Sequence, residues 1–406
     1  MYQKPKGTRD YYPEEREAFN KIADSFRQSA RKYGFREVEA PAIEAIPLLT
    51  AKQGEEIKQQ IFVLEKKGDE ELGLRPDITV PVTRMFIQKQ FELPRPVKWF
   101  YITRMWRYER PQSGRLREFY QFGIEIYGPG SPEADAEMIS LAIDSLASLG
   151  LTKKDFVVRI NNRALLQDFI KSLEIDNYED VFRIIDKRLK IPEDAWEKEL
   201  KKASLNDNDI EKLKKFLKIK DLEKVTVKSE SLENLKKVME CLKRRKDFIE
   251  VDFSTARGLA YYTGTVFEIF DRKGKYRSIA GGGRYDNLVS LLGGQKTPSC
   301  GFGMGFATLG LLLEEKKLMP KAELGVDYYI AYIGEKAKNK AQDIAEKLRK
   351  RGSVEIDLMG RSLAKQMEYA NKTGARNVAI IGEDEVRKKV VKIKDMKTGK
   401  EVNERI

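Results

Sequence analysis

Apolar residues recur at intervals of three and four positions between residues 13 and 33, with Phe19 and Phe26 on one side. That interval matches the turn of an α-helix, so the segment predicts an amphipathic helix. From residue 96 onward, aromatic and β-branched residues predominate, a composition typical of strands. The segments 96–109 and 118–128, joined by the turn-forming RPQSGRLR, predict an antiparallel hairpin.

Further along the chain, changes of pattern predict separate domains. Residues 165–235 are rich in Lys, Glu and Asp, have helical apolar spacing and contain almost no glycine, which predicts an inserted helical module. After Pro320 strands and helices alternate, which predicts a small α/β domain with a mainly parallel sheet. We therefore expect a first domain made of residues 1–164 and 236–320, a helical insertion at 165–235 and a C-terminal domain at 321–406.

The second strand of the hairpin carries different chemistry on its two faces, because successive side chains of a strand point in opposite directions. One face is typical of a core: Tyr120, Phe122, Ile124 and Ile126. The other face carries an aromatic ring, an amide, a glycine and a carboxylate, to which the first strand adds a guanidinium and a second carboxylate: Phe119, Gln121, Gly123 and Glu125, with Arg107 and Glu109. A solvated sheet face also alternates, yet it seldom mixes Phe and Gly with charge. The pattern favours a ligand site.

Two glycine-rich segments add to this hypothesis. In GFGMGF (301–306) three glycines fall on one strand face, which indicates either a flat ligand against the backbone or close packing by another part of the protein. In AGGGRYDNL (280–288) glycines precede a helix start, where backbone N–H groups could meet an anion. The chain has neither a Walker-type phosphate loop nor a dinucleotide fingerprint, so a nucleotide would bind to another kind of fold.

The amino-acid composition limits the kinds of partner and reaction that are expected. The 406 residues carry a formal net charge of +13, which favours an anionic partner such as nucleic acid or a polyphosphate, although lysine-rich surfaces also serve solubility. The chain has no histidine and two cysteines far apart, so neither a disulfide framework nor a cysteine zinc site is expected. Arginines, carboxylates, tyrosines and backbone groups must then perform any reaction. No apolar leader or membrane-length run is present, and we expect a cytoplasmic protein with no membrane partner.

Together these segments resemble histidyl-tRNA synthetase, a class II aminoacyl-tRNA synthetase. The resemblance rests on KGTRDYYPEE, YGFREVEAPAIE as motif 1, LRPDITVPVTR, RYERPQSGRLREFYQFGIEIYG as motif 2, INNR, RGLAYYTGTVFEIF, AGGGRYDNLV, GFGMGF before motif 3, and the C-terminal AEKLRKRG and AKQMEYANKTGARNVAIIGEDE. It implies an α+β class II catalytic domain, in which an antiparallel sheet is flanked by helices, with a helical insertion and a C-terminal α/β anticodon-binding domain. It also implies a homodimer formed through motif 1.

The resemblance implies ATP-dependent ligation of L-histidine to tRNA(His) through a histidyl-adenylate. ATP would enter with Mg²⁺ as a substrate complex, and neither a metal held by the protein nor a prosthetic group is expected. The catalytic residues implied are Arg107 and Arg257, on either side of the α-phosphate, with Arg257 standing where related enzymes place a metal. The other implied residues are Glu109, Arg115 and Phe119 with Arg107 for ATP; Asp77, Thr79, Gln121, Glu125, Tyr261 and Tyr262 for histidine; and Arg110 and Gln112 for the tRNA acceptor end.

The sequence departs from the family pattern at three positions. Many relatives have Glu-Arg in motif 3 where this chain has Ala307 and Thr308, so an arginine expected on the γ-phosphate is missing, and the sequence does not identify its replacement. Ala260 replaces a common aspartate, and Asp77 replaces a glutamate.

These departures leave two other hypotheses. Catalytically inactive paralogues serve as regulatory subunits of ATP phosphoribosyltransferase and bind histidine as an effector. Against this stand Arg107, Arg115, Glu125 and Arg257, together with a basic C-terminal region that such regulators usually lack: residues 321–406 hold 20 Lys plus Arg and 14 Asp plus Glu, a net of +6. A nucleic-acid-binding protein without catalysis would explain the charge but not the glycines or the alternating faces.

Overall fold

The computed structural model describes residues 2–51, 55–188, 191–255 and 261–405. They belong to two compact units, one comprising Met1–Asp10 and Lys21–Met319 and the other Tyr11–Asn20 and Pro320–Ile406. The described strands are β1 (Arg36–Glu37), β2 (Ile43–Ala45), β3 (Phe62–Val63), β4 (Leu72–Leu74), β5 (Val97–Trp106), β6 (Glu118–Tyr127), β7 (Phe156–Asn162), β8 (Ile249–Val251), β9 (Thr265–Asp271), β10 (Ala280–Arg284), β11 (Ser299–Gly305), β12 (Tyr328–Tyr332), β13 (Val354–Ile356), β14 (Asn377–Ile381), β15 (Val390–Asp395) and β16 (Glu401–Arg405).

The described helices are α1 (Pro13–Lys32), α2 (Ile46–Thr50), α3 (Glu55–Lys58), α4 (Thr79–Gln88), α5 (Pro132–Ala147), α6 (Arg163–Lys171), α7 (Tyr178–Lys187), α8 (Glu193–Lys202), α9 (Asp207–Leu217), α10 (Glu230–Cys241), α11 (Leu288–Leu291), α12 (Phe306–Glu315), α13 (Glu335–Arg349), α14 (Leu363–Lys372) and α15 (Glu383–Lys388). The amphipathic helix predicted over 13–33 is confirmed as α1.

The first unit is built on a sheet whose eight described strands run in the order β1-β5-β6-β11-β10-β9-β7-β8. Its centre is antiparallel, and only the edge pairs β1–β5 and β7–β8 are parallel. The predicted hairpin is confirmed as β5–β6, with Val97 opposite Tyr127 and Trp106 opposite Glu118. Beside it, β2, β4 and β3 form a small antiparallel sheet.

The first strand of the hairpin is shorter than predicted. It ends at Trp106, so Arg107 and Glu109 lie in the connecting loop and not on a shared strand face. The cause is competition for backbone hydrogen bonds: the N–H of Tyr108 donates to the carbonyl of Gln60 at 2.7 Å, and that of Arg117 donates to Gly7 at 2.7 Å. The loop is thereby held by other segments of the unit.

The glycines of AGGGRYDNL do not lie at a helix start, where their backbone N–H groups could meet an anion, and that prediction was wrong. They form β10, where Gly281–Gly283 pair with β9 on one side and β11 on the other. The strand uses glycine because its neighbours are close: a methyl group on Gly282 would lie 2.6 Å from the Cα of Phe302. The short helix α11 begins only at Leu288, after a turn.

A buried aromatic cluster lies on one face of the central strands. Phe122 of β6 stacks on Phe26 of α1 with ring centroids 4.9 Å apart and meets Phe302 of β11 edge-on at 5.6 Å. Phe302 in turn contacts Phe267 of β9 at 6.2 Å. These aromatic contacts confirm that the even-numbered face of β6 is apolar core, and they leave the opposite face of the same strands for other chemistry.

Helices α6–α10 are inserted between β7 and β8, two parallel neighbours at the edge of the sheet. The segment has its own buried centre: Trp196 is fully buried and donates from Nε1 to the carbonyl of Ile184 at 2.9 Å. Phe216 stacks on Phe169 at 4.0 Å and packs on Phe253 at 4.5 Å. The helical character predicted for residues 165–235 is therefore observed.

In the second unit, the sheet order is β13-β12-β14-β15-β16. Strand β12 pairs in parallel with β13 and β14, whereas β15 and β16 add in antiparallel fashion. The alternation of strands and helices was predicted, but β16 was not. Side chains of β12, α13 and β14 form a buried cluster that includes Ile330, Ile344 and Ile381.

Candidate active site

A cleft of about 300 Å³ lies over the face of β6, β9, β10 and β11 opposite the aromatic core. Its lining includes nine of the residues predicted from sequence: Asp77, Thr79, Arg107, Glu109, Arg115, Phe119, Gln121, Tyr261 and Tyr262. Glu125 lies directly behind the wall, whereas Arg110 and Gln112 are exposed on the loop between β5 and β6. Arg257 and Ala260, for which the sequence also made predictions, lie outside the described residues.

One end of the cleft is a buried carboxylate among phenols. Glu125 is only 1% exposed, and its carboxylate accepts hydrogen bonds from the hydroxyl of Tyr101, at 3.3 Å, and from that of Tyr285. Burial, reinforced by the negative charge of Glu125, raises the pKa of Tyr101 well above its ordinary value, so this phenol remains a donor. A buried carboxylate needs such donors, because an unpaired one costs several kcal/mol.

Sequence reasoning missed Tyr101 and Tyr285. Tyr101 has the pattern of a core strand residue, and Tyr285 follows the glycines of β10. The Tyr285 ring lies 5.9 Å from Tyr261, whose ring is 4.1 Å from Tyr262. Burial, followed by the nearby charge of Asp77, raises the pKa of Tyr261. A cluster of neutral hydroxyls therefore surrounds this end of the cleft.

The glycines of β11 make room for the polar side chains of β6. A methyl group on Gly301 would lie 2.5 Å from Oε2 of Glu125, and one on Gly303 would overlap the amide of Gln121. Gly305 differs, since a methyl group there would meet no described atom within 4 Å. Close packing thus accounts for two of the three glycines, and only Gly305 leaves open space toward the cleft.

The other end of the cleft is rich in arginine. The guanidinium of Arg107 lies over the ring of Phe119, 5.2 Å from its centroid, and its Nε donates to the carbonyl of Pro76 at 2.8 Å. Arg115 forms an ion pair with Glu109. Planar guanidinium groups suit phosphate binding, because they remain charged and offer paired donors. This end therefore matches a polyphosphate.

Close to Asp77 the backbone enters α4. Oδ1 of Asp77 accepts from the N–H of Thr79 at 2.8 Å, which fixes both residues at the start of the helix. Within the described ranges no group of three or more Asp, Glu or Cys side chains could hold a metal ion. No described helix combines the length and apolar character needed to cross a membrane.

An antiparallel sheet with a polar cleft on one face, flanked by helices and accompanied by a C-terminal α/β unit, is the architecture of a class II aminoacyl-tRNA synthetase. A family model described as histidyl-tRNA synthetase matches residues 7–309, and one described as an anticodon-binding domain matches residues 327–406. The chain belongs to the histidyl-tRNA synthetase family.

Comparison with full-length relatives indicates the same family. The chain is 39% identical to a protein named Histidine–tRNA ligase from Haloarcula marismortui, over 99% of this chain and 95% of that protein. It is also 39% identical to one of the same name from Pyrococcus furiosus, over 99% and 96%. The crystal structure of histidyl-tRNA synthetase from Nostoc sp. PCC 7120 matches with a TM-score of 0.82 and 28% identity, over 100% of this chain and 97% of that one.

Proposed function

We propose that the cleft activates L-histidine with ATP and then transfers it to tRNA(His), with the phenol-lined end binding histidine and the arginine-rich end binding ATP. The chain is a histidine–tRNA ligase that uses ATP as substrate, as its full-length relatives indicate. The regulatory alternative is not favoured, because these relatives and the anticodon-binding match together cover the whole chain. The observation that carries the assignment of sites is the cleft itself, which joins a buried carboxylate to a pair of arginines along one sheet face.

In the first step, a carboxylate oxygen of histidine attacks the α-phosphorus of ATP, the bond to the β-phosphate oxygen breaks, and pyrophosphate leaves with the electron pair. Such a reaction needs positioning and charge stabilisation more than it needs a protein base. Arg107 binds the α-phosphate, Phe119 stacks on the adenine, and Arg115, positioned by Glu109, binds the distal phosphates. Arg257, opposite Arg107, is proposed on the family resemblance alone.

The phenol-lined end of the cleft recognises histidine. The carboxylate and amide groups of Asp77 and Gln121, with Thr79, hold the α-ammonium group, while Glu125 and Tyr262 bind the two imidazole nitrogens and Tyr261 packs alongside. Gly301, which lines the cleft, supports this assignment, because a methyl group there would lie 2.5 Å from Oε2 of Glu125 and would separate that carboxylate from the cleft. A side chain without ring nitrogens would leave these buried groups unpaired, which corresponds to a discrimination on the order of 10⁴.

In the second step, a hydroxyl of the terminal ribose of tRNA attacks the histidyl carbonyl and AMP leaves. Arg110 and Gln112, exposed on the loop beside the cleft, contact the acceptor end. The basic C-terminal domain, residues 321–406, binds the anticodon region. Mg²⁺ arrives with ATP and is held mainly by the phosphates.

The domain boundaries of the chain, its association into a dimer and its location in the cell are also part of what we propose. The catalytic domain comprises residues 1–164 and 236–320, interrupted by the helical insertion at 165–235. Two chains associate through residues 33–44, which resemble motif 1, and the protein acts in the cytoplasm. Sedimentation equilibrium that gives twice the 46.8 kDa chain mass would support the dimer, and a single chain mass at micromolar concentration would contradict it.

The decisive experiment is ATP–pyrophosphate exchange with each of the standard amino acids in turn, followed by charging of total tRNA. Exchange that depends on L-histidine alone, and charging of a single acceptor, would support the proposal. Exchange with another amino acid, or histidine binding without any exchange, would contradict it.

A further inference from the structure

The described side chains that line the cleft carry balanced charges, although the proposed ligand, ATP, is a polyanion. Among the residues described there, three carboxylates face three guanidiniums: Asp77, Glu109 and Glu268, and Arg107, Arg115 and Arg277. The ion pair with Glu109 offsets the charge of Arg115. ATP brings several negative charges, so the cation without a carboxylate partner has the largest effect on its binding.

Arg277 is such a cation. It lies at the mouth of the cleft, its side chain is exposed, and within the described ranges no carboxylate forms an ion pair with it. Its Nη2 donates to Oε1 of Gln112, which places it beside the loop between β5 and β6. The guanidinium is therefore held near the cleft by a neutral group that leaves its charge uncompensated.

The same loop connects Arg277 to the position where the motif 3 arginine is missing. Residues 112–115 form a tight turn, with backbone hydrogen bonds of 3.1 and 2.9 Å between Gln112 and Arg115. Arg277 contacts this turn at Gln112, and Oγ1 of Thr308 donates to the carbonyl of Gly114 at 3.3 Å. Arg277 and Thr308 thus both border the turn that carries Arg115.

The backbone that carries Arg277 is anchored to the helix of Thr308. In the turn between β9 and β10, Nζ of Lys275 and the hydroxyl of Tyr276 donate to Oε2 of Glu315, at 2.6 and 2.8 Å. Glu315 ends α12, which begins two residues before Thr308. These two bonds, first that of Lys275, lower the pKa of Glu315 to about 2, so the anchor persists at any working pH.

We infer that Arg277 binds the β- and γ-phosphates of ATP and supplies the positive charge that Thr308 cannot provide. The inference rests on the proposed function and adds a substrate-binding residue to it. Arg277 would act in ATP binding and in pyrophosphate release, and it would have no contact with the adenylate, which lacks those phosphates.

The test is the variant Arg277→Ala, with Arg277→Lys and Lys273→Ala for comparison. Lys273 lies in the same turn, is 72% exposed, does not line the cleft and contacts Glu315 only at 3.6 Å, so its loss changes the net charge equally and leaves the shorter bonds of Lys275 and Tyr276 to Glu315 in place. In histidine-dependent exchange, we expect Arg277→Ala to raise the KM for ATP about ten- to hundredfold, since charge-assisted hydrogen bonds are lost. We expect the KM for ATP of Arg277→Lys to lie between those of Arg277→Ala and the wild type. The KM for ATP of Lys273→Ala should match that of the wild type.

A second measurement separates this role from a structural one. Calorimetric binding of a non-hydrolysable sulfamoyl analogue of histidyl-adenylate should be unchanged in Arg277→Ala, because the analogue has no distal phosphates. An unchanged KM for ATP, an equal loss of analogue binding, or a rise confined to the KM for tRNA would each overturn the inference. If the wild type shows no histidine-dependent exchange, the proposed function itself fails, and that outcome is distinct from all of these.

Discussion

Glu125 is the side chain to which we assign recognition of the histidine imidazole. Its burial is sustained by two phenols, and it lies on the strand that also supplies Phe119 and Gln121 to the cleft. We expect Glu125→Ala to abolish histidine-dependent exchange, since the substituted cleft has no carboxylate for the imidazole and leaves two buried hydroxyls without their acceptor.

The matched control is Glu118→Gln on the same strand. Glu118 does not line the cleft and pairs with Arg104 at 3.1 Å, so its loss should leave exchange intact. Near-normal exchange in Glu125→Ala would refute the assignment of Glu125.

The absence of a side chain at Gly303 makes room for Gln121, and a substitution there can test whether this room is needed. The Gln121 amide occupies the space where a side chain at 303 would lie, so Gly303→Ala should displace Gln121 and raise the KM for histidine by about tenfold or more. Gly310→Ala is the control, because that helical position has no described atom within 4 Å of the added methyl group and alanine favours a helix. Equal KM values for histidine in the two variants would contradict this prediction.

For single residues, the sequence predicted which face of β6 carries the polar side chains, but not every residue that contacts them. Alternation alone placed Gln121 and Glu125 together, since the period of a strand is fixed. The role of Tyr101 depends on register: it lies opposite Gly123, whose missing side chain lets the phenol reach across toward Glu125. Register is a property of the paired strands, and the pattern of one strand does not contain it.

Among the elements, α5 and β10 are joined by a buried ion pair. Asp135 is fully buried and Arg284 is 5% exposed, with Nε of the arginine 2.9 Å from Oδ1 of the aspartate. Arg284 also donates to the carbonyls of Pro129 and Ser131, at 3.0 and 3.2 Å, so it fixes the start of α5 against the strand. The pair positions a helix at the back of the sheet that carries the cleft.

Breaking this pair should be costly. We expect Asp135→Ala to lower the free energy of unfolding by about 3 kcal/mol, because the buried guanidinium of Arg284 keeps only the carboxylate of Asp286, 3.0 Å from its Nη1, and loses its fully buried partner. Urea denaturation followed by circular dichroism measures the change. The exposed pair Lys243–Glu240 is the comparison: Glu240→Ala should cost at most about 1 kcal/mol. Similar costs in both variants would contradict the structural role of Asp135.

Element type was predictable where periodicity was strong and failed where glycine dominated. The pattern AGGGRYDNL (280–288) predicts glycines before a helix start, where backbone N–H groups could meet an anion. In the structure its backbone is packed so closely between β9 and β11 that side chains do not fit, and a sheet environment outweighs local propensity. Strand β16, with no buried side chain, gave too weak a pattern to detect.

At the scale of the whole molecule, net charge is the property that follows most directly from the sequence. The net charge of +13, of which residues 321–406 contribute +6, favours a polyanion such as tRNA. Because protein–nucleic acid contacts release counterions, we expect the KM for tRNA(His) to rise about tenfold or more between 50 and 200 mM KCl. Exchange without tRNA, measured at the same salt concentrations, should change far less. A KM for tRNA that is independent of salt would contradict an electrostatic contribution to binding.

The placement of helices α6–α10 has a consequence for how relatives of this chain can diverge. The segment leaves the sheet at β7 and returns at β8, and these two strands are hydrogen-bonded neighbours with Val158 opposite Ile249. Asn162, where β7 ends, lies four residues beyond Val158, so the two ends of the segment are about 14 Å apart whatever lies between them, given a rise of about 3.3 Å per residue and about 5 Å between adjacent strands. Whole helices could be gained or lost between these two strands over evolutionary time without any change in the strand pairing of the sheet that carries the cleft.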